Sequence, residues 1–341
     1  MKGTRYLVIV FAVVAVTMFV CTVPSSYGRD RCIRDSVTFL TSTVGVTDYW
    51  PRFSPDGAEV LFTRNSGPEI CPSGEICSLY TVPVNGGSAT LFLELQGVSA
   101  TRSNWSWETD RIAFTGVMDS ETTLWIVNGD GSDPHKVPNQ SGLAYPSWYP
   151  GGDSVAVTAA AEGGNHVLKQ IDIGTGDTIR QLTNANQVYA GEPAVSPDGE
   201  MIAFAGQRKL CDYTEPLTCQ NYNDLYNQIW LENTEEGNHD LHQLDPEQAR
   251  TPDWSPDGKW IAFESACGCV NGEYAIFIEA AGTTAPSGGK AVQITECKYD
   301  GNHGVFSPDG ELIAFSAVLP EDGRSRGIAL VRVPNLSRCG R

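Results

Sequence analysis

The sequence is short of positive charge. Its 341 residues contain 23 Lys and Arg against 41 Asp and Glu, which gives a formal net charge of −18 at pH 7. A nucleic-acid-binding surface needs a concentration of basic side chains, so we expect no nucleic-acid partner. The excess of acidic residues is typical of a chain that charge repulsion keeps soluble.

Apolar stretches that could cross a bilayer are scarce as well, and the only one spans residues 6–20. It follows two basic residues and precedes small residues at the positions that a signal peptidase reads, which predicts a secretory signal peptide over residues 1–28. A retained membrane anchor is the alternative, but the run is short for a bilayer. A lipid anchor on Cys21 is a further alternative. It is disfavoured because lipid attachment prefers a small residue at the position of Val20. We therefore expect a secreted or periplasmic protein with no membrane span after signal removal.

Motifs of common catalytic chemistry are also missing. The chain has no Gly-x-Ser-x-Gly elbow, no glycine-rich phosphate loop and no His-Glu-x-x-His pair. The segment Asn128–Asp133 resembles a calcium loop, but it lacks the later bidentate Glu and lies where a hairpin turn is required. The sequence thus predicts no catalytic residue, no metal and no cofactor.

Cysteine is plentiful, with ten in the chain, one of them inside the predicted signal. Close spacing in an exported protein favours disulfides. The predicted local pairs are Cys71–Cys77, Cys211–Cys219, and Cys297 with either Cys267 or Cys269. Zinc binding is the alternative, but zinc motifs prefer matched Cys-x-x-Cys pairs, and none occurs. Nine cysteines remain after signal removal, so at least one has no partner within the chain.

The chain also contains an internal repeat. Its clearest copy is Thr251-Pro-Asp-Trp-Ser-Pro-Asp-Gly-Lys-Trp-Ile-Ala-Phe263, which predicts a strand, a tight turn and a second strand. Pro256 and Asp257 are favoured turn residues, and Gly258 can adopt the left-handed conformation that closes the turn. The apolar run 261–263 has no polar alternation, which is typical of a strand covered on both faces.

Six copies of this frame can be aligned along the chain. In the clearest copy, Ser255 lies six positions before Ile261, which begins the apolar triplet 261–263. The residue equivalent to Ser255 lies six positions before the first residue of the triplet in every other copy as well. The residues at that position are Ser54, Ser106, Tyr149, Ser196, Ser255 and Ser307. A strict internal frame with irregular gaps between copies is typical of a radial β repeat.

Two further strands follow each turn motif, so each complete repeat has four strands. In the first repeat they are Ser78–Pro83 and Ala89–Leu93, joined by an Asn-Gly-Gly hairpin signal. The last repeat has only three strands, whereas Ser36–Thr41 stands alone near the start of the chain. We therefore predict one all-β domain over residues 29–341, a six-bladed β-propeller of four-stranded antiparallel blades, closed by the N-terminal strand. Two stacked β-sandwiches are the alternative, and they leave that strand unexplained.

This topology places the two ends of the chain together. Cys32 shortly precedes the N-terminal strand and Cys339 shortly follows the last strand, so both fall where the last blade needs a hairpin. We predict that they form a disulfide, which would close nearly the whole mature chain into one loop. Two unpaired cysteines on frayed termini are the alternative.

Long insertions distinguish the two faces of the predicted ring. The segments 64–77, 206–227 and 265–273 all lie between the second and third strands of a repeat. In a propeller these loops share one face with the connections between blades. One face is thus elaborated and carries the predicted local disulfides, while the other carries the Ser-Pro-Asp-Gly turns.

The repeat resembles the TolB-type β-propeller repeat, a WD40-like blade found in many exported bacterial proteins. The resemblance rests on Trp254-Ser-Pro-Asp-Gly-Lys-Trp-Ile-Ala-Phe263 and its copies, and it covers nearly all of the mature chain. It implies a propeller fold and a partner-binding surface, and it implies no particular chemistry. Only Arg29–Asp35 precedes the first strand after the signal, so we expect no counterpart of the N-terminal α/β domain of TolB proteins.

The connections between blades deliver side chains to the mouth of the central channel. The residues that the sequence places there are Tyr49, Trp50, Arg102, Asn104, Tyr145, Glu192, Arg250 and His303. Aromatic and arginine side chains are enriched at the energetic centres of interfaces, although Trp50 could instead pack between blades. We predict a non-catalytic, monomeric binding module for a protein or cell-envelope partner.

An enzyme is the alternative hypothesis. Some propellers of this repeat type are uronate-sugar lyases that use channel histidine and arginine residues together with a metal. By this resemblance, His303, Arg102 and Arg250 could serve a polysaccharide-active enzyme at the same mouth.

Overall fold

The computed structural model describes residues 36–67, 71, 75–161, 165–184, 188–208, 228–234, 242–244, 248–269, 272–282 and 291–335. Several predictions fall outside the described residues. These are the signal peptide, the segment 29–35, most of the insertion 206–227, and Cys32, Cys211, Cys219 and Cys339. None of the helical segments in the described part of the chain has the length and apolar character needed to cross a bilayer.

The described residues form β-strands and one short 3-10 helix, Cys297–Tyr299. The first strands are β1 (Thr38–Phe39), β2 (Thr47–Phe53), β3 (Glu59–Asn65), β4 (Ser78–Pro83) and β5 (Thr90–Leu93). The second repeat forms β6 (Ser99–Trp105), β7 (Arg111–Met118), β8 (Glu121–Asn128) and β9 (His135–Lys136). The third forms β10 (Leu143–Trp148), β11 (Ser154–Ala160), β12 (His166–Asp172) and β13 (Thr178–Gln181).

The remaining strands repeat the same plan. The fourth repeat forms β14 (Val188–Val195), β15 (Met201–Arg208), β16 (Gln228–Asn233) and β17 (His242–Gln243). The fifth forms β18 (Ala249–Trp254), β19 (Trp260–Ser265), β20 (Ala275–Ala280) and β21 (Val292–Gln293). The last forms β22 (Asn302–Phe306), β23 (Leu312–Val318) and β24 (Arg326–Arg332).

Repeats two to five each form a four-stranded antiparallel sheet in chain order, for example β6-β7-β8-β9. The other strands join in one eight-stranded sheet, where β22-β23-β24 is followed by β2-β3-β4-β5. The join between these two halves is a single parallel bridge from Thr47 to Arg326. The sheets are therefore the predicted four-stranded antiparallel units.

The lone N-terminal strand lies beside the last strand. In β1, Thr38 is opposite Leu330 in β24, and the two strands run antiparallel. The prediction of a strand over Ser36–Thr41 was too long, because β1 has two residues. Beyond it, the backbone amides of Leu40 and Thr41 both donate to the carbonyl of Ile328, at 2.8 and 3.3 Å, so the regular ladder ends there.

The core consists of the apolar triplets at the start of the second strands. All eighteen side chains of the six triplets are fully buried, including Ile261, Ala262 and Phe263. Ile261 and Phe263 pack towards the fourth repeat, whereas Ala262 packs towards the last one. Each second strand is thus covered on both faces, which is why the triplets show no polar alternation. Each buried Phe of the triplets contributes about 2–3 kcal/mol.

The Ser-Pro-Asp-Gly turns share one hydrogen-bond network. In the fifth repeat, Ser255 Oγ donates to Asp257 Oδ1 at 2.7 Å and accepts from the backbone amide of Trp260 at 2.9 Å. Asp257 Oδ1 also accepts from the amide of Lys259 at 3.1 Å, and these bonds, the one from Ser255 first, hold the pKa of Asp257 below its usual range. The turns at Ser54, Ser196 and Ser307 make the same contacts.

The segment 128–133, which resembles a calcium loop in sequence, forms a hairpin turn between β8 and β9.

Two disulfides join described cysteines, and both lie in or beside the loops between second and third strands. Cys71 pairs with Cys77 within the first of these loops. Cys269 pairs with Cys297, which resolves the alternative that the sequence left open, and Cys267 is itself disulfide-bonded. We call the face that carries these loops the loop face, and the opposite face the turn face.

Candidate functional site

Every first strand contains a β-bulge at the same place. In β2, Tyr49 is opposite Thr63 and Arg52 is opposite Leu61, so two residues of β2 face one residue of β3. The same shift interrupts β6, β10, β14, β18 and β22. A bulge adds one residue, and it re-aims the side chains that follow it.

The first residue of each bulge has a positive φ although it is not glycine. These residues, which we call the bulge ring, are Trp50 (φ 52°), Arg102 (50°), Tyr145 (56°), Glu192 (55°), Thr251 (53°) and His303 (55°). All six line one cavity of about 30 Å³ towards the loop face. Such a backbone conformation is costly for residues with a side chain, and for the β-branched Thr251 most of all. The fold therefore holds six strained residues around a single cavity.

Five of the eight predicted site residues belong to the bulge ring, and the structure brings them together. The sequence analysis missed Thr251 and took its neighbour Arg250 instead. A signal for Thr251 was present, because every ring residue lies four positions before the Ser255 position of its own repeat.

Arg250 does not project freely into the mouth. Its Nε lies 2.6 Å from Oε1 of Glu264, whose side chain is 0% exposed, and its guanidinium lies 4.4 Å from the centre of the Tyr274 ring. Burial raises the pKa of Glu264 to about 7, and the charge of Arg250 opposes this shift. The sequence analysis did not find this ion pair, because a partner buried on the second strand cannot be read from the strand motif.

His303 is held against the same glutamate. Its backbone amide donates to Oε2 of Glu264 at 2.6 Å, and its ring packs 4.7 Å from the Tyr49 ring and 5.7 Å from the Trp50 ring. Its Nδ1 is buried and makes no hydrogen bond. Burial, reinforced by the charge of nearby arginines, lowers the pKa of His303 well below its usual value, so the imidazole is neutral at physiological pH.

Arg102 is stacked, and it forms no ion pair with any residue that the structure describes. Its guanidinium carbon lies 4.9 Å from the centre of the Trp50 ring and 4.5 Å from that of Tyr145. Nη1 makes one long hydrogen bond of 3.5 Å to Thr101 Oγ1, while Nε is buried without a partner. No carboxylate of the described residues lies within 4 Å of it. Two aromatic faces thus hold a guanidinium whose donors are largely unused.

Glu192 is the acidic member of the bulge ring. Its Oε2 accepts a hydrogen bond of 2.9 Å from the backbone amide of Thr251. Burial raises the pKa of Glu192, although that hydrogen bond and nearby arginines oppose the shift. Burial also raises the pKa of the neighbouring Tyr145 phenol.

The other two predicted site residues lie outside the ring. Tyr49 packs behind it, 7% exposed, with its hydroxyl donating to Asn302 Oδ1 at 3.1 Å. Asn104 lies two residues beyond the bulge, and it accepts from the backbone amide of Trp148 at 3.3 Å and from that indole at 3.0 Å. It therefore ties two sheets together on the turn-face side instead of reaching the mouth.

An ion pair lies beneath the ring cavity. Arg52 Nη1 lies 3.8 Å from Asp253 Oδ1, and Arg52 Nε donates to the carbonyl of Ser103 at 3.1 Å. Burial raises the pKa of Asp253 to about 6, while Arg52 opposes the shift. Arg52 lines both the ring cavity and a second cavity of about 110 Å³ on the turn-face side. The pair lies beside both cavities, and the sequence analysis did not find it.

Three buried tryptophans line the second cavity. Trp105, Trp148 and Trp254 are each 5–7% exposed, and their indole nitrogens donate hydrogen bonds within the protein. Across the described ranges, no group of three or more His, Cys, Asp or Glu side chains is placed to hold a metal ion.

Solved structures with the same fold include TolB proteins. A putative TolB from Agrobacterium tumefaciens is 16% identical, with a TM-score of 0.59 over 87% of this chain and 97% of that one. TolB from Acinetobacter baumannii is 18% identical, with a TM-score of 0.56 over 84% of this chain and 64% of that one. An oligogalacturonate lyase from Vibrio parahaemolyticus is 15% identical, with a TM-score of 0.52 over 88% of this chain and 94% of that one.

These likenesses show a TolB-like β-propeller fold. They do not choose between a binding propeller and an enzyme, because both kinds of protein are among them. No family model matches the chain, and no curated protein matches it in sequence.

Proposed function

We propose that this chain is an extracytoplasmic binding module that captures a protein or another cell-envelope component at the mouth of its loop face. The observation that carries the proposal is the bulge ring, which holds aromatic and charged side chains on strained backbone around one cavity. Strain of this kind costs about 1–3 kcal/mol per residue, and it is typical of functional sites. A preorganised surface loses less entropy when its partner binds.

The architecture that supports this mouth is a ring of six blades. The four separate sheets account for four blades, and the eight-stranded sheet divides at its single parallel bridge into two more. β1 completes the last blade and closes the ring. We further propose that Cys32 and Cys339 lock this closure. If both alkylate freely in the folded, oxidised protein, the lock does not exist.

The surroundings of the ring suit capture of a macromolecule outside the cytoplasm. Disulfides near the mouth, Cys71–Cys77 and Cys269–Cys297, are stable in the periplasm or outside the cell. Trp50 and Arg102 are of the residue types that dominate binding energy at interfaces. The ion pair of Arg52 and Asp253 lies beside the ring cavity, and we propose that the partner binds at the surface above it.

Capture from a cell-envelope extract tests the proposal. Immobilised mature protein is compared with Arg102→Ala and with Arg111→Ala, and bound proteins and glycans are identified by mass spectrometry. Arg111 is the matched control, because it also stacks on an aromatic ring, Trp148 at 5.3 Å, but on the turn face. We expect a partner that wild type and Arg111→Ala retain and that Arg102→Ala loses. Equal capture by both variants would rule out the loop-face mouth.

A polysaccharide-active enzyme remains the second candidate. The observation in its favour is a neutral imidazole, His303, which lines the same cavity as Arg102 and whose Nδ1 makes no hydrogen bond. Incubation with acidic polysaccharides tests it directly. Depolymerisation by the purified protein that His303→Ala abolishes would replace the binding proposal with the enzymatic one.

A further inference from the structure

A second, larger space opens beside the bulge ring. This side cleft has a volume of about 370 Å³, and its walls include Arg102, Ala144, Tyr145, Ala160, His166 and Tyr189. Arg102, Tyr145 and Glu192 line both the side cleft and the ring cavity, so the two spaces adjoin at these residues. A cleft of this volume matches the range of small-molecule sites.

The floor of the cleft carries an unusual cation. The other arginines close to the mouth are each bonded to a carboxylate: Arg64 to Asp48 at 2.7 Å, Arg250 to Glu264 at 2.6 Å and Arg326 to Asp300 at 2.8 Å. Arg102 has no such partner among the described residues, and its Nε is buried without a hydrogen bond. A buried donor without a partner costs about 1–3 kcal/mol, which a bound acceptor would recover.

The outer end of the cleft carries a polar pair. The hydroxyl of Tyr189 lies 2.5 Å from Nδ1 of His166, with the two rings 4.9 Å apart, and Tyr189 is 37% exposed. Small side chains such as Ala144 and Ala160 also line the cleft. The cleft thus combines a cation, a hydrogen-bonding pair and small apolar side chains.

One acidic group, Glu192, also lines the cleft. One of its carboxylate oxygens accepts a hydrogen bond from the backbone amide of Thr251. Burial raises the pKa of Glu192, while that hydrogen bond and the nearby arginines oppose the shift.

We propose that the side cleft binds a small carboxylate, with the carboxylate group on the guanidinium of Arg102 and a polar group at His166 and Tyr189. A planar guanidinium pairs with a carboxylate through two parallel hydrogen bonds, a geometry that neither a neutral amide nor a hydroxyl reproduces. The proposal goes beyond the macromolecular partner and does not depend on it. The carboxylate can come from a sugar acid or from the end of a peptide, since both present the same group.

Ligand-observed NMR with matched probes tests the site. The probes are glucuronate and N-acetyl-dialanine, each compared with a neutral counterpart, glucose and N-acetyl-dialanine amide. We expect at least one acid to bind and its neutral counterpart to bind at least about tenfold more weakly, because charge-assisted hydrogen bonds are lost. Which acid binds identifies the source of the carboxylate.

Three variants locate the binding. Arg102→Gln removes the charge, Ala160→Phe fills the cleft from an exposed position without touching the arginine, and Arg111→Gln makes the same charge change on the turn face. We expect the first two to weaken binding about tenfold or more and the third to leave it unchanged. The proposal is overturned if neither acid binds better than its neutral counterpart, or if Arg102→Gln retains the wild-type affinity.

Discussion

Two arginines of the mouth are held in different ways, and this difference predicts different roles. Arg250 neutralises Glu264, which is fully buried. Arg102 is stacked between the rings of Trp50 and Tyr145 and has no carboxylate partner among the described residues. The ion pair of Arg250 and Glu264 stabilises the folded state, because a buried charge without a partner is costly. The stacking of Arg102 leaves donors available for a ligand.

The free energy of unfolding should therefore separate the two residues. Arg250→Ala is expected to lower it by about 3 kcal/mol, the lower end of the range for breaking a buried pair, because Arg250 itself is partly exposed. Arg102→Ala should cost about 1 kcal/mol, the scale of its cation–π contacts. Urea denaturation of both variants measures this, and equal losses would contradict the assignment.

Buried acids at the mouth also make stability depend on pH. Burial raises the pKa of Glu264 from 4.5 to about 7 and that of Asp253 from 3.8 to about 6. Between the unfolded and folded values, the folded protein holds protons that the unfolded chain has lost. The stability that this contributes is present at low pH and is lost as pH rises through the folded pKa. His303 acts in the opposite sense, because its lowered pKa costs stability as pH falls below its ordinary value of 6.5.

Glu264→Gln isolates one of these contributions. The amide keeps the shape of the side chain but does not titrate. The free energy of unfolding of wild type therefore falls between about pH 5 and pH 7 as Glu264 ionises, whereas that of the variant does not fall for this reason. We expect wild type to lose about 1–3 kcal/mol relative to the variant over this range. Urea unfolding at several pH values measures it, with the exposed Glu200→Gln as a control. If the free energy of unfolding depends on pH in the same way in wild type and Glu264→Gln, the raised pKa of Glu264 is refuted.

At the scale of the element, the turn motif stabilises each repeat through its serine. Ser255 Oγ is buried and satisfies the backbone amide of Trp260 at the start of β19. Ser255→Ala should lower the free energy of unfolding by about 1–2 kcal/mol, because that amide loses its partner. Ser106→Ala is the matched control, since Ser106 Oγ at the same position bonds only to Thr109. An equal loss in both variants would show that the turn network is not the cause.

The same element shows what the sequence reveals and what it hides. Proline, aspartate, glycine and the triplet 261–263 identify the turn and its two strands, because each depends on local backbone preferences. The contacts of Asn104 with Trp148 were not found from the sequence, because they join strands of two different sheets. A local trace of the bulge exists, since Pro51, Pro146, Pro193 and Pro252 directly follow ring residues. Glu264 and the pair of Arg52 and Asp253 left no such trace, because their partners lie on other strands.

At the scale of the whole molecule, the segment that follows β1 packs against the last strand at Gly327. A Cβ atom added there would collide with the backbone carbonyl of Thr41, which follows β1. Gly327→Ala should therefore displace the N-terminal strand and lower the free energy of unfolding by about 1–3 kcal/mol. Gly282→Ala is the control, because nothing lies within 4 Å of the added atom. If Gly327→Ala leaves the free energy of unfolding unchanged, the proposed closure of the ring by β1 is contradicted.

The binding surface is tested most directly by hydrogen–deuterium exchange of the protein alone and in complex with its captured partner. We predict slower exchange in the complex at the loop face, in the first strands around Trp50, Arg102 and His303, and no change at the Ser-Pro-Asp-Gly turns. Protection of those turns, with unchanged exchange at the bulge ring, would contradict the proposal that the loop-face mouth binds the partner.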